Sequence, residues 1–234
     1  MPEGYAPTSS GPVSARPASE YLSTMIRLRE VATRTRPDML YGVATLARFS
    51  QKPTAENWRG LAHMIGYLAR TRKTALRLVP NGTASAALEG YSDAVWAGTS
   101  VPSIGGTIVR VYGCPVYAGS QRLPDYALSA FDAEMMAVDE TIKQALWIRD
   151  LLKSLLGASL TIRLNCDSNP VGTHVHAGAT IPLRISDHPT IRAGLAVLAW
   201  IPPADQLANI LTEPLPKTSF DLLAPKVQGR SVAP

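Results

Sequence analysis

The chain predicts an α/β fold with a mixed sheet, preceded by a small helical unit. Three observations predict it. Before residue 80, apolar residues recur only at helical spacing. After residue 86 the elements read strand, strand, strand, long helix, strand, short helix, strand, helix, the order of a layered α/β domain whose strands pair in both directions. Hydrophobic residues make up 46% of the 234 residues and charged residues 18%. That is enough apolar material for a proper core, and it excludes a wholly disordered chain.

Residues 1–20 are rich in Pro, Ser, Gly and Ala and are expected to be a disordered leader. In "TRPDMLYGVATLARFSQ", Pro37 suits a helix start, and Leu40, Val43, Leu46 and Phe49 follow at three-residue steps. In "PTAENWRGLAHMIGYLARTRKTAL", Thr54 suits the N-cap, and Trp58, Leu61, Ile65 and Leu68 form the apolar stripe. Residues 21–80 therefore read as a basic helical segment, a helix pair, closed by the turn chemistry of "VPNGTAS" at 79–85.

The second domain is expected over 86–223, with a flexible tail over 224–234. "AALEGYSDAVWAG" reads as a strand, and "GGTIVRVYG" with "CPVYAGSQ" as a hairpin turning at Gly113. The longest helix begins at Ser129, with Asp132 completing a capping box. It carries Met135, Val138, Ile142, Ala145, Ile148, Leu152 and Leu155 on its apolar stripe and stops at Gly157. "SLTIRLNCD" is an apolar strand, 168–187 a loop-rich stretch, "HPTIRAG" a short helix, "LAVLAWIP" a strand and "DQLANILTEPL" a short amphipathic helix.

Net charge is +5, and the excess of bases lies in residues 21–80. Phosphate is the natural partner of such a segment, with Arg59, Arg70, Arg72 and Lys73 the candidate contacts; a merely solvated basic helix surface is the alternative. No apolar run approaches the ~20 residues of a membrane span, and no secretion signal opens the chain, so a cytoplasmic or nuclear setting without a membrane partner is expected. Cys114 and Cys166 have no CxxC spacing and read as reduced packing residues. The sequence contains no glycine-rich phosphate loop and no nucleophile elbow. His174 and His176 form an H-x-H pair without a third metal ligand nearby.

In "EGYSDAVWAG", Asp93 interrupts residues that otherwise favour a strand. Either the segment turns there or a positive group faces the carboxylate. Glu134 stands in the first turns of the long helix, and Asp167 ends the strand "TIRLNC". Strand ends and helix starts of an open α/β sheet gather into one crevice. Three carboxylates there repel unless a cation neutralises them, and oxygen ligands without His or Cys suit Mg²⁺ or Mn²⁺. On spacing alone, three scattered solvent-exposed acids remain the alternative.

The series "YSDAVWAG … GG … ALSAFDAEMMA … WIRDLL … LNCDSNP … IPPADQLANILTEPL" resembles the ribonuclease H domain of Ty1/copia-type retrotransposon polyproteins. The upstream "TRPDMLYGVATLARFSQ" and "PTAENWRGLAHMIGYLARTRKTALRL" resemble the segment that connects reverse transcriptase to that domain. The likeness runs from about residue 21 to 220.

The resemblance implies a ribonuclease H-like sheet of five strands with flanking helices. It also implies a metal-dependent endoribonuclease that hydrolyses the RNA strand of RNA–DNA hybrids with two Mg²⁺ or Mn²⁺ ions. Asp93, Glu134 and Asp167 match the family's metal-binding catalytic acids. The fourth family position, an Asp, is Asn209 here, which keeps an oxygen ligand but lacks the charge. His188 is the candidate for the accessory histidine that aids product release in some ribonucleases H, with an ordinary loop or surface histidine as the alternative. No polymerase aspartate pair occurs, so the polymerase part belongs upstream in the parent element. A degenerate fragment that keeps the fold and binds nucleic acid without cleavage is the second implication.

Overall fold

The computed structural model describes residues 11–80, 87–98, 103–123, 126–157, 159–167 and 188–230. These fall into two units, one built from the residues up to Arg77 together with those from Glu213 onward, the other from Leu78–Thr212.

The Leu78–Thr212 unit is a mixed five-stranded sheet with flanking helices, as the ribonuclease H-like expectation requires. Its strands are β1 (Leu88–Val95), β2 (Ile104–Val111), β3 (Cys114–Arg122), β4 (Ile162–Cys166) and β5 (Ala196–Trp200), in the spatial order β3-β2-β1-β4-β5. β1–β2 and β2–β3 pair antiparallel, and β1–β4 and β4–β5 parallel. The β2–β3 hairpin turns on Tyr112 and Gly113, both at positive φ. That pair of angles gives a two-residue turn whose twist matches the strands. Cys114 and Cys166 are free and buried, as expected of packing residues.

The long helix α4 (Ala130–Leu156) is capped by Ser129, whose hydroxyl accepts from the Asp132 N–H at 3.1 Å. Asp132 reaches back to the Leu128 N–H at 3.0 Å, one residue earlier than an ideal capping box. Gly157 ends the helix in the left-handed conformation. Val138, Ile142, Ala145 and Ile148 pack on Leu88, Val109, Ile162, Leu164 and Ala196, so the core lies between this helix and the sheet. Leu155, expected on that stripe, is 71% exposed. A helix of 27 residues runs about 40 Å, longer than the strands beneath it, and its last turn has nothing to cover.

The other unit holds α1 (Ala18–Thr35), a 3₁₀ turn at Pro37–Met39, α2 (Leu40–Ala47), α3 (Ala55–Arg70) and α6 (Lys217–Val227). It is larger than the helix pair expected. Leu40, Val43 and Leu46 are buried as their spacing predicts. Thr54 caps α3 and forms a capping box with Asn57. On α3 the buried residues are Trp58, Leu61 and Met64, whereas Ile65 is 44% exposed; the stripe advances by three residues instead of four there.

Both ends of the expected domain map change. Val13 bridges to Thr54, Arg16 stacks over the Trp58 ring at 3.7 Å, and α1 begins at Ala18. Residues 11–20 thus make these local contacts and begin α1 while staying largely exposed; residues 1–10 lie outside the described residues. The expected tail from 224 continues α6 to Val227 and belongs with the helical unit, not with the sheet. Leu223, Ala224 and Val227 are buried, Phe220 meets Tyr67 edge-on at 5.8 Å, and the Arg77 N–H donates to the Gln228 carbonyl at 2.8 Å.

A buried ion pair sits inside this unit. Arg36 donates to both carboxylate oxygens of Asp38, at 3.0 and 2.7 Å, and to the Thr71 hydroxyl at 2.8 Å. The Tyr67 hydroxyl donates to Asp38 at 2.6 Å, and burial with the Asp38 charge raises its pKa. Removing one partner of such a pair strands the other charge. Asp38→Ala should therefore destabilise this unit by about 3 kcal/mol, read from hydrogen exchange of the α3 amides under urea; a loss below about 0.5 kcal/mol would contradict the burial assigned to Arg36.

Candidate active site

Asp93 sits in β1 and pairs in register with Gly106 of β2. A Cβ at Gly106 would stand 2.8 Å from the backbone oxygen of Ala208 and 2.9 Å from the Thr212 methyl. Glycine there is what lets the segment 207–212 lie directly on the sheet beside Asp93. The Thr212 hydroxyl donates to Asp93 Oδ2. The acid that looked out of place in a strand is met by a hydroxyl brought over by a glycine.

Glu134 lies in the second turn of α4 and meets the backbone N–H of Ala94, the residue after Asp93. Burial pushes its pKa up to about 8, and the charges of Asp93 and Asp167 push the same way; the Ala94 N–H opposes them. Asp167 follows β4 and accepts from Gln206 Nε2 at 3.4 Å. The three acids from β1, α4 and the end of β4 are thus within electrostatic reach of one another. Among the described residues no group of three or more His, Cys, Asp or Glu side chains stands close enough together to hold a metal ion, and that includes these three acids.

The donor chemistry fits a hard divalent cation. It comprises three carboxylates and Asn209 Oδ1, a buried oxygen that accepts no hydrogen bond. Asn209 lies in a 3₁₀ turn, Leu207–Leu211, and not in the α-helix expected for "DQLANILTEPL". Asp205 belongs to a separate 3₁₀ turn, Pro203–Asp205. Gln206 between them has extended backbone (φ −72, ψ 99) and caps the second turn, so no continuous helix carries Asp205 to the site.

His188 is not brought to the three acids by any contact among the described residues. Its Nε2 lies 3.3 Å from Asp139 of α4, and its Nδ1 accepts from the Thr190 N–H at the start of α5 (Pro189–Arg192). His174 and His176 lie outside the described residues. Arg59, Arg70, Arg72 and Lys73 are exposed, in the other unit. Arg59 and Arg70 are eleven residues apart on α3, three helical turns, and share a face. Two site residues escape a reading of acids alone: Gln206 and Thr212. Their signal is a pair of polar residues bracketing the apolar Leu207, Ala208, Ile210 and Leu211.

The raised pKa of Glu134 has a definite sign for stability. The folded chain holds this proton up to about pH 8, whereas an ordinary glutamate releases it near 4.5. Folded protein therefore binds more protons in that window, and stability falls as pH rises through it. Glu134→Gln in EDTA should stabilise the chain above pH 8, on the order of 2 kcal/mol, and have little effect at pH 4. An equal effect at both values, measured by urea unfolding, would contradict the charge repulsion.

No family model matches the chain. It is 33% identical over 212 residues to the retrovirus-related Pol polyprotein from transposon RE1 of Arabidopsis thaliana, covering 86% of this chain and 14% of that one. The corresponding polyprotein from transposon RE2 of the same plant is 31% identical over 211 residues, again 86% of this chain and 14% of the relative. The chain thus spans about one-seventh of the length of these relatives. Secreted RxLR effector protein 161 of Plasmopara viticola is 34% identical over 130 residues, which is 55% of this chain and 90% of that protein. The likeness to the Pol polyproteins of Ty1/copia-type transposons supports a polyprotein origin, and the chain belongs to the same family as the Plasmopara protein.

Proposed function

We propose that the Leu78–Thr212 unit is a ribonuclease H-type endonuclease that cleaves the RNA strand of RNA–DNA hybrids. The observation that supports this reading is that buried Glu134 lies within reach of the charges of both Asp93 and Asp167, which raise its pKa further. Homology to Pol polyproteins supports a retroelement setting, with the polymerase part encoded elsewhere in the parent element. Asp93, Glu134 and Asp167 would hold Mg²⁺ or Mn²⁺, with Asn209 Oδ1 as an uncharged ligand. Bound there, the ions supply an acidified water and offset charge on the phosphate and the leaving 3′ oxygen.

The chain's own part is placement. Asp93 is fixed on the central strand, Glu134 by the rigid start of α4, and Asp167 by the end of β4. The half-buried setting strengthens their hold on a cation and makes their proximity costly without one. The exposed Arg59, Arg70, Arg72 and Lys73 give the chain neutral-to-basic surface for a polynucleotide, and 2′-hydroxyl contacts would select the RNA strand.

A second reading is favoured by one residue. Asn209 stands where the family has an acid, so the cage carries three charges instead of four. On this reading the chain keeps the fold and binds nucleic acid without cutting it.

Labelled hybrid incubated with the full chain and Mg²⁺ or Mn²⁺ separates the two. Cleavage that Asp93→Asn abolishes supports the nuclease, and Asn209→Asp should then raise the rate at least about tenfold. Binding with no cleavage in either metal supports the degenerate reading. Changing Arg59, Arg70, Arg72 and Lys73 together to Ala should lower the slope of log affinity against log salt by about 3; an unchanged slope would remove these side chains from the contact.

A further inference from the structure

We propose that the segment from Gln206 to Thr212 is a two-ended clip that sets where two of the three acids stand, Gln206 positioning Asp167 and Thr212 positioning Asp93. Gln206 is fully buried, and its single amide has three partners. Nε2 donates to the Ser92 carbonyl at 3.0 Å and reaches Asp167 Oδ1 at 3.4 Å, while Oε1 accepts from the Ala208 N–H at 3.3 Å. One side chain thereby joins the backbone of β1, the acid after β4 and the first turn of the clip itself. At the other end Thr212 is 1% exposed, and its hydroxyl donates to Asp93 Oδ2.

Gln206 and Thr212 flank the 3₁₀ turn Leu207–Leu211 as its two caps, Gln206 with extended backbone, and each of them reaches an acid. The remaining side chains, Leu207, Ala208, Ile210 and Leu211, are all buried and fasten the turn to the domain. Gly106 provides the seat: only a residue without a side chain leaves room for Ala208 and Thr212 against β2, opposite Asp93. Asn209 lies in the turn between the two residues that contact the acids.

The contacts themselves do not depend on any catalytic role. The consequence drawn for metal binding rests on the nuclease reading above, so the test has two arms that fail separately. The first arm titrates Mn²⁺ alone into the full chain and reads the free ion by electron paramagnetic resonance. Thr212→Val, which keeps the shape and loses the hydroxyl, should weaken Mn²⁺ about tenfold. Thr212→Ser, which keeps the hydroxyl and loses the methyl against Gly106, should stay within about twofold, and Gln206→Met should behave like the valine variant. Equal affinity in wild type and Thr212→Val overturns the positioning role.

The second arm is metal-free. In EDTA, the unfolding constants of Thr212→Val, Asp93→Asn and the double variant should show at least about threefold coupling, with none between Thr212→Val and Asp167→Asn. Additivity of Thr212→Val with Asp93→Asn overturns the clip. If wild type takes up no Mn²⁺, the nuclease reading falls, and the coupling alone still decides the clip. Should the valine variant fail to fold, Thr212→Ala, which also lacks the hydroxyl, takes its place in both arms.

Discussion

The burial of Glu134 within reach of the charges of Asp93 and Asp167 is the constraint on which the site depends. Asp93, Glu134 and Asp167 come from a central strand, a helix start and a strand end, and a parallel β1–β4 pairing with α4 crossing the sheet brings those places together. The arrangement works against the folded state of the free chain: Glu134 keeps its proton far above the usual carboxylate range. A fold that tolerates such repulsion must hold each acid by other bonds, and here it does so with an amide, a hydroxyl and a backbone N–H. This is the pattern expected where charge is arranged for a ligand and not for stability.

The glycine pair at 105–106 shows how a small residue governs the site without touching it chemically. At Gly106 the lack of a side chain admits the 3₁₀ segment, and that segment supplies Gln206, Asn209 and Thr212. A methyl at this position would meet backbone, which has no rotamer to give way. The site is therefore coupled to packing on the second face of the sheet as well as to the strand ends. In the helical unit the contrast is plain: Arg36 and Asp38 form a buried pair of opposite charges, with Tyr67 donating to Asp38 and Thr71 accepting from Arg36.

Much of the fold was legible because periodicity and punctuation agreed. Thr54, Ser129, Gly113 and Gly157 each fell where a cap or turn requires them, and the mixed character of the sheet followed from the order of elements, though the strand order itself did not. The acids were legible as residue types at strand ends and a helix start. Their convergence was not, because separation in sequence says nothing of register. Gln206 and Thr212 were missed since uncharged polar residues give no charge signal, and the reading of "DQLANILTEPL" as an α-helix would have put them on different sides. The docking of α6 on the helical unit was illegible for the same reason: Leu223 and Val227 reveal a buried face but not which unit buries it.

The most direct test of convergence is the titration of the Glu134 side-chain carboxyl by carbon NMR in the full chain, first in EDTA and then with Mg²⁺. Burial of Glu134, with the charges of Asp93 and Asp167 beside it, predicts a midpoint near 8 that falls when the cation is added. A midpoint near the ordinary 4.5, unmoved by Mg²⁺, would mean that the three acids do not share a site.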